Sequence, residues 1–299
     1  MALIPFDDRD GVIWWDGALV PWRDAKLHVL THGLHYASAV FEGERAYEGH
    51  IFKLQEHTER LLVSGRLLGF EIPYSAAEIN AASKEVLAAN GLTDGYIRPL
   101  AWRGAEQLSV SAQQSKIHLA IACWSWPNLF GADRMKGVTL GMAEWRRPHP
   151  QTAPTASKAA GLYMTGTLSK HAAEAAGFND ALMLTWDGYV AEATGANVFF
   201  CIDGALHTPI PDCFLDGITR RTVIALAKAR QIEVVERRIL PDEIASANEV
   251  FLAGTAAEVT PVRQIGAHHF TPGKITETLL TDYEALVRLP PEEVRRRAA

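Results

Sequence analysis

Apolar and polar positions alternate along this chain in short blocks, each punctuated by Gly, Pro, Asn or Asp. Apolar runs at 12–15 and 18–20 flank Asp16-Gly17, a strong hairpin signal. Glu48-Gly49 predicts a second hairpin, joining a strand over 39–47 to one over 51–54. Leucines at 54, 61, 62, 67 and 68 set a helical stripe over 53–68. Ser75 and Glu78 form a capping-box pattern that opens a helix, which Gly91 closes. Residues 96–102 and 117–124 read as buried strands. Residues 124–137, with Pro127, Asn128 and Gly131, break the pattern and predict a linker.

A second unit follows. It begins with a strand at 138–145 and a Pro/Thr/Ser-rich loop at 148–157, and a helix is expected over 159–176. A meander turns at Asp187-Gly188 and Asp203-Gly204. Then come a helix at 218–229, strands at 232–236 and 249–252, and a terminal helix at 275–287. Mixed helices and hairpins argue α+β. The domain division read from the chain is 1–123, an interdomain loop at 124–136, and 137–299.

Composition narrows the function. The chain has 299 residues, 48% hydrophobic and 21% charged, enough for a large core. A net charge of −6 offers no basic footprint for nucleic acid. Arg295-Arg296-Arg297 reads as a solvated terminus. Three cysteines, Cys123, Cys201 and Cys213, without a C-x-x-C spacing favour a reducing compartment, so a cytoplasmic location is expected. No signal peptide and no membrane span are expected. His32-x-x-His35 lacks a companion at metal-ligand spacing, so no metal is expected. Residues 266–274 have the wrong spacing for a phosphate loop, and a G-x-S-x-G elbow is absent.

Glu192 is the lone acid in the otherwise uncharged run 188–200, which contains no lysine or arginine. Burying such a carboxylate needs a cationic partner, from elsewhere in the fold or from a cofactor; otherwise the group faces water. Lys158 sits among small residues where a loop feeds a helix. There it is either a solvated lysine or an amine nucleophile. Asp216-Gly217-Ile218-Thr219 opens a helix, as an ordinary cap or as an anion site. Gly254-Thr255-Ala256-Ala257 follows a strand, as a plain turn or as a cluster of anion donors. Tyr96 and Arg98 share a strand face, suited to a substrate carboxylate or to a structural salt bridge. Arg60 reads in isolation as a surface charge.

Taken together, the segments His35-Tyr36 with Phe41-Glu42-Gly43, Tyr96-Ile97-Arg98-Pro99, Lys158 with Tyr163, 192–197, Gly217-Ile218-Thr219 and 254–258 occur in the order found in one family. Over about 15–263 the chain resembles the class IV aminotransferases of fold type IV, with the branched-chain amino acid aminotransferases as the nearest match. The resemblance implies pyridoxal 5′-phosphate (PLP), a small N-terminal α/β domain, and a larger domain of mixed sheet or barrel with helices. It also implies that Lys158 holds PLP as a Schiff base, that Glu192 meets the pyridine nitrogen, and that Tyr163 meets the phenolic oxygen. Arg60, the N–H groups of Ile218 and Thr219 and the Thr255 hydroxyl would hold the phosphate, with Gly195, Asn197, Leu215 and Gly217 completing the cofactor site. Tyr96 and the Ala256 N–H would take the α-carboxylate, with Ala257 beside them, and Arg98 the distal carboxylate of glutamate or 2-oxoglutarate. Phe41, Gly43, Trp126 and Tyr36 of a partner subunit would line the side-chain pocket, so a homodimer or higher oligomer is implied. Lys158 would then act as the base for a 1,3-proton shift in ping-pong transamination of Leu, Ile and Val.

The chain departs from the family pattern in three places. Leu162 replaces a usual asparagine, Leu129 replaces a tyrosine, and 101–115 lacks a glycine-rich Asn-Pro loop. Those departures bear on substrate and acceptor and leave the PLP residues intact. D-amino acid or (R)-amine transamination and an aminodeoxychorismate-lyase-like activity are the alternatives within the fold.

Overall fold

The computed structural model describes residues 4–126 and 131–297. Its contacts cluster into two compact units. One comprises residues 1–127 with 157–161, the other 128–156 with 162–299.

In the first unit, β1 (Val12–Trp15) and β2 (Ala18–Pro21) form the expected hairpin. Asp16 and Gly17 both have positive φ, 45° and 100°, as a tight two-residue hairpin turn requires. After the short α1 (His32–His35), the expected strand over 39–47 is split into β3 (Ala39–Phe41) and β4 (Glu44–Tyr47). The break falls at Glu42-Gly43. There a Cβ on residue 43 would lie 2.0 Å from the Tyr96 hydroxyl, so only glycine lets the Tyr96 ring approach. Next come β5 (His50–Ile51), α2 (Leu54–Leu67) and α3 (Ala76–Ala89). The Ser75/Glu78 capping box is formed at the start of α3. The long antiparallel pair β6 (Gly95–Arg103) and β7 (Ile117–Trp124) centres a seven-stranded sheet in the order β2-β1-β7-β6-β4-β5, with β3 also paired to β6.

The second unit is built on β8 (Val138–Met142), α4 (Met164–Ala175), β9 (Asp180–Leu184), β10 (Val190–Ala193), β11 (Asn197–Ile202) and β12 (Ala205–Pro209). It continues with α5 (Ile218–Ala229), β13 (Val234–Arg237), β14 (Glu249–Gly254), β15 (Glu258–Ile265), β16 (His268–His269), α6 (Lys274–Val287) and α7 (Pro291–Arg297). The run β10-β9-β8-β15-β14-β11 closes on itself through the β10–β11 pairing, giving a six-stranded barrel. Alternation fills it. Val198 and Phe200 of β11 join Val250 and Leu252 of β14 in one core, while Phe199 and Phe251, pointing the other way, stack at 4.9 Å. Pro261, paired with Phe251, conceals β15 in the sequence, because proline in an apolar run argues against a ladder strand. The helix expected over 159–176 starts instead as a tight 3₁₀ turn, Ala160–Tyr163, and becomes α-helical at Met164.

All three cysteines are buried. Burial, opposed at Cys123 by an Asn90 hydrogen bond, pushes that thiol up to about 11; burial with nearby acids pushes Cys201 and Cys213 up to about 12.

Asn90 ties α3 to β1. Its Oδ1 accepts the Val12 N–H at 2.9 Å, and its Nδ2 donates to the Val12 carbonyl at 2.9 Å and the Val86 carbonyl at 2.8 Å. Asn90→Ala should cost about 2 kcal/mol or more in chemical unfolding, because it strands backbone groups in a part-buried site. An unchanged denaturation midpoint would show that β1 is anchored by other means.

Candidate active site

In the first unit the site is organised around Lys158. Residues 157–161 lie in the stretch expected to belong to a 137–299 domain, yet they are stitched to the N-terminal unit. The Phe41 N–H donates to the Lys158 carbonyl at 3.1 Å, the Lys158 N–H donates to Ser64 Oγ at 3.0 Å, and Val40 bridges Ala159. This pinning places Lys158 Nζ 4.9 Å from the centre of the Phe41 ring. Arg98 lies over the same ring at 4.7 Å and donates from Nη2 to the Tyr96 hydroxyl at 2.9 Å. Tyr96 in turn packs on Trp126 at 5.1 Å and on Gly43. Phe41, Gly43, Tyr96, Arg98, Trp126 and Lys158 are thus brought together. Arg98 is half-buried, its Nε has no hydrogen-bond partner, and among the described residues no carboxylate pairs with it.

Arg60 is more than a surface charge. Its Nε donates to Glu42 Oε1 at 2.6 Å and its Nη2 to Oε2 at 2.9 Å, a two-pronged pair. Glu42 is fully buried, and Oε2 also meets His57 Nδ1 at 2.8 Å. Burial pushes the Glu42 carboxyl up, but Arg60 and His57 outweigh it and hold the group well below the usual carboxylate range. His57 is lowered, chiefly by burial against the pull of Glu42, with Lys158 and Arg60 adding positive charge nearby. Glu44, two residues on, is fully buried and neither oxygen has a hydrogen-bond partner. Burial, reinforced by the Glu42 charge, pushes Glu44 well above the usual range.

The second unit carries a matching set. Glu192 on β10 has a partner that its own segment does not supply. Arg147 Nε lies 3.0 Å from Glu192 Oε1, in ion-pair range but not aligned as a hydrogen bond, and Nη2 donates to the Ala193 and Thr194 carbonyls. The cationic partner that the buried charge requires therefore comes, at least in part, from elsewhere in the fold. Asn197, opposite Glu192 in the barrel, donates to Glu192 Oε2 at 3.1 Å and to the Leu215 carbonyl at 3.0 Å. A Cβ at Gly217 would lie 2.2 Å from Asn197 Oδ1, so this strand and the start of α5 are locked together. Gly217 caps α5 without a side-chain hydrogen bond, so no cap side chain takes the first-turn N–H groups of Ile218 and Thr219.

Thr255, Ala256 and Ala257 form the three-residue loop of the β14–β15 hairpin. Its first strand ends at Gly254, whose missing Cβ leaves room for Gly195-Ala196. Tyr163 is half-buried at the N-cap of α4, next to Leu162. Tyr36 has its ring contacts with His32 and His35. It is exposed, stacked on His32 at 4.7 Å. Leu129 lies outside the described residues.

Each unit by itself offers groups of the kind a phosphorylated, ring-bearing cofactor needs: the first an amine and a guanidinium, the second a helix start without a capping side chain and a hydroxyl-bearing loop. Sequence reasoning gave no role to Glu42, Glu44, His57 or Arg147. The i, i+2 acids of 42 and 44 and the i, i+3 pair His57 and Arg60 are visible signals; nothing in the sequence separates Arg147 from its neighbour Arg146.

The chain is similar to known proteins over most of its length. The family model described as amino-transferase class IV matches residues 39–265. A branched-chain-amino-acid aminotransferase of Pseudomonas aeruginosa is 42% identical over 288 residues, covering 94% of each chain. The crystal structure of the branched-chain aminotransferase of Thermoproteus uzoniensis with norvaline superposes with a TM-score of 0.91 at 35% identity, covering 96% of this chain and 98% of that one. The branched-chain amino acid aminotransferase of Thermobaculum terrenum in its PLP form gives a TM-score of 0.88 at 32% identity, over 96% of this chain and 97% of that one.

The two buried acids should respond to pH with opposite signs. Glu42 ionises more readily in the fold than in the unfolded chain, so its contribution is present above the ordinary carboxylate range and is lost on acidification. Glu44 stays protonated in the fold where the unfolded chain would ionise, so stability falls as pH climbs from the ordinary range toward its raised value. Glu44→Gln removes that second dependence. Its melting temperature relative to wild type should therefore grow more positive from about pH 4 to about pH 8. A difference that stays flat across this range would show that Glu44 is not held neutral.

Proposed function

The chain belongs to the class IV aminotransferases, PLP-dependent enzymes, and on that premise we propose that it exchanges amino groups between branched-chain L-amino acids and 2-oxoglutarate. The observation that carries this reading is Arg98. A half-buried guanidinium beside an aromatic ring, without a carboxylate of its own among the described residues, suits a substrate that brings one. Phe41 and Trp126 next to it offer apolar surface for a branched aliphatic chain. An apolar pocket with an arginine at its rim serves both half-reactions.

Bound PLP supplies an electron sink next to the substrate α-carbon. Lys158, whose backbone is held by the bonds around it, would attach the cofactor, and its amine, once displaced by the substrate amine, would be the base that moves the proton at that carbon. Glu192, braced by Arg147 and Asn197, would meet the pyridine nitrogen, and Tyr163 would meet the phenolic oxygen. Arg60, Ile218, Thr219 and Thr255 hold the phosphate, with Gly195, Leu215 and Gly217 shaping the surroundings. Tyr96, Ala256 and Ala257 receive the α-carboxylate.

The active form is a homodimer or higher oligomer in which Tyr36 serves the neighbouring subunit. Its exposure supports this, as does that of Val110, which lines the same open cavity of about 500 Å³. The same reading divides the chain at 124–136 and places it in the cytoplasm. Three buried thiols without disulfides support that location, and among the described residues no helix is long and apolar enough to cross a membrane.

Borohydride should fix PLP to the peptide that contains Lys158, and Lys158→Ala should abolish that label; a label that persists in the variant would place the attachment elsewhere. The substrate assignment is tested by assaying leucine, isoleucine, valine, D-alanine and (R)-1-phenylethylamine with 2-oxoglutarate or pyruvate. Turnover confined to D-amino acids or amines, or aromatic product released without an acceptor, would replace the proposal. Arg98→Met should raise KM for glutamate roughly a hundredfold, the loss of a ~3 kcal/mol charge-assisted contact, while KM for leucine moves far less. Equal losses for both substrates would remove Arg98 from acceptor recognition.

A further inference from the structure

The hairpin loop that carries Thr255, Ala256 and Ala257 closes on a residue poorly suited to its backbone. Gly254 pairs with Glu258, leaving three residues in the loop, and Glu258 has φ of +52°. Three-residue hairpins place one residue in the left-handed region, where glycine is favoured and an L side chain costs about 1 kcal/mol. A glutamate there, only 5% exposed, breaks the local rule twice, in its backbone and in its buried charge. Such departures persist where the side chain has work that glycine cannot do.

That work is visible on the far side of the loop. The Glu258 carboxylate pairs with Arg134, whose other guanidinium arm pairs with Glu284 of α6. Arg134 lies on the turn Gly131–Lys136, directly before β8. The turn is itself held at its end, where Gly137 packs against Arg263 of β15 and Arg263 Nε donates to the Gly137 carbonyl at 3.3 Å. Thr260 Oγ1 donates to the Ala257 carbonyl at 2.5 Å and closes the loop from within. The loop is therefore tied at its base, through an ion pair, to a segment well over a hundred residues earlier in the chain.

We propose that Arg134 is a positioning residue: through Glu258 it fixes the 255–257 loop and cancels the negative charge at its base, so that the loop can receive an anion. This rests on the reading above, in which Thr255 meets the cofactor phosphate and Ala256 the substrate carboxylate. Two physical effects act together. Without Arg134, the buried Glu258 carboxylate loses a cationic partner, and more of its negative charge is felt by an anion held in the loop. Without the pair, less offsets the left-handed cost at residue 258, and the loop has reason to relax.

The test uses the full-length protein and reads PLP affinity of the apoprotein by absorbance titration, together with steady-state constants and melting temperature. Arg134→Met should weaken PLP binding and raise substrate KM by about tenfold each, with kcat within about twofold of wild type. Arg134→Lys should recover part of both. Glu258→Gly keeps the backbone conformation and deletes the charge, so combined with Arg134→Met it should bind PLP more tightly than Arg134→Met alone. A fall in melting temperature with PLP affinity and KM unchanged, in both Arg134→Met and Glu258→Gly, would reduce the pair to a structural brace and overturn the inference. Thr255→Val separates this from failure of the underlying reading. If Thr255→Val leaves PLP affinity intact, the loop does not hold the phosphate; if it weakens PLP while Arg134→Met does not, the positioning role alone fails.

Discussion

A fully buried carboxylate, Glu42, governs the candidate site residues of the first unit. A charge at such depth survives only when opposite charge and hydrogen bonds surround it; Arg60 supplies the charge with two hydrogen bonds, and His57 a further hydrogen bond. The arrangement acts in both directions. Arg60, which would otherwise be a long flexible cation on a helix, is held by two hydrogen bonds in one orientation. Glu44, at the start of β4, has no such company, and burial with the Glu42 charge favours its protonated form, so two acids two residues apart are driven in opposite directions by their neighbours. The break between β3 and β4 at Glu42-Gly43 belongs to the same design. One residue sends its carboxylate inward, and the next has no side chain so that Tyr96 can close over it.

The two arginines of this unit illustrate how one side-chain type is set for two tasks. Arg60 has its charge partly offset by a protein carboxylate before any ligand arrives, which favours geometry over raw attraction. Arg98 has aromatic rings and a phenol for neighbours and no carboxylate among the described residues, which leaves its charge to be answered by whatever enters. In the second unit, Glu192 and Arg147 mirror the first case. The acid that would face a cationic ring nitrogen is already braced by an arginine and an asparagine, so its direction does not depend on the ligand.

Much of this was legible in the residues. Hairpin turns at Asp16-Gly17 and Glu48-Gly49, the Ser75 capping box and the helix at 218–229 follow from local chemistry, and the structure reproduces them. The aminotransferase class and its cofactor followed from the order of several motifs, each of which was ambiguous alone. What the sequence hid were long-range events. β15 was masked by Pro261, the barrel closure depends on pairing between strands with no joint signature, and Arg147 looks like any other surface arginine until the fold brings it to Glu192. The departure of residues 157–161 to the N-terminal unit was equally invisible, because it rests on backbone hydrogen bonds from Phe41 and to Ser64 rather than on any side-chain pattern.

The three cysteines give the molecule an unplanned convenience. With Cys123 pushed up to about 11 and Cys201 and Cys213 to about 12, ionisation of all three thiols is disfavoured at neutral pH. The thiolate is the species that alkylates, and all three are also shielded from reagent. A fluorophore or spin label attached through a cysteine introduced at an exposed position would therefore report from that position alone. Distances and motions in the working enzyme can then be followed without first stripping the chain of its own sulfur.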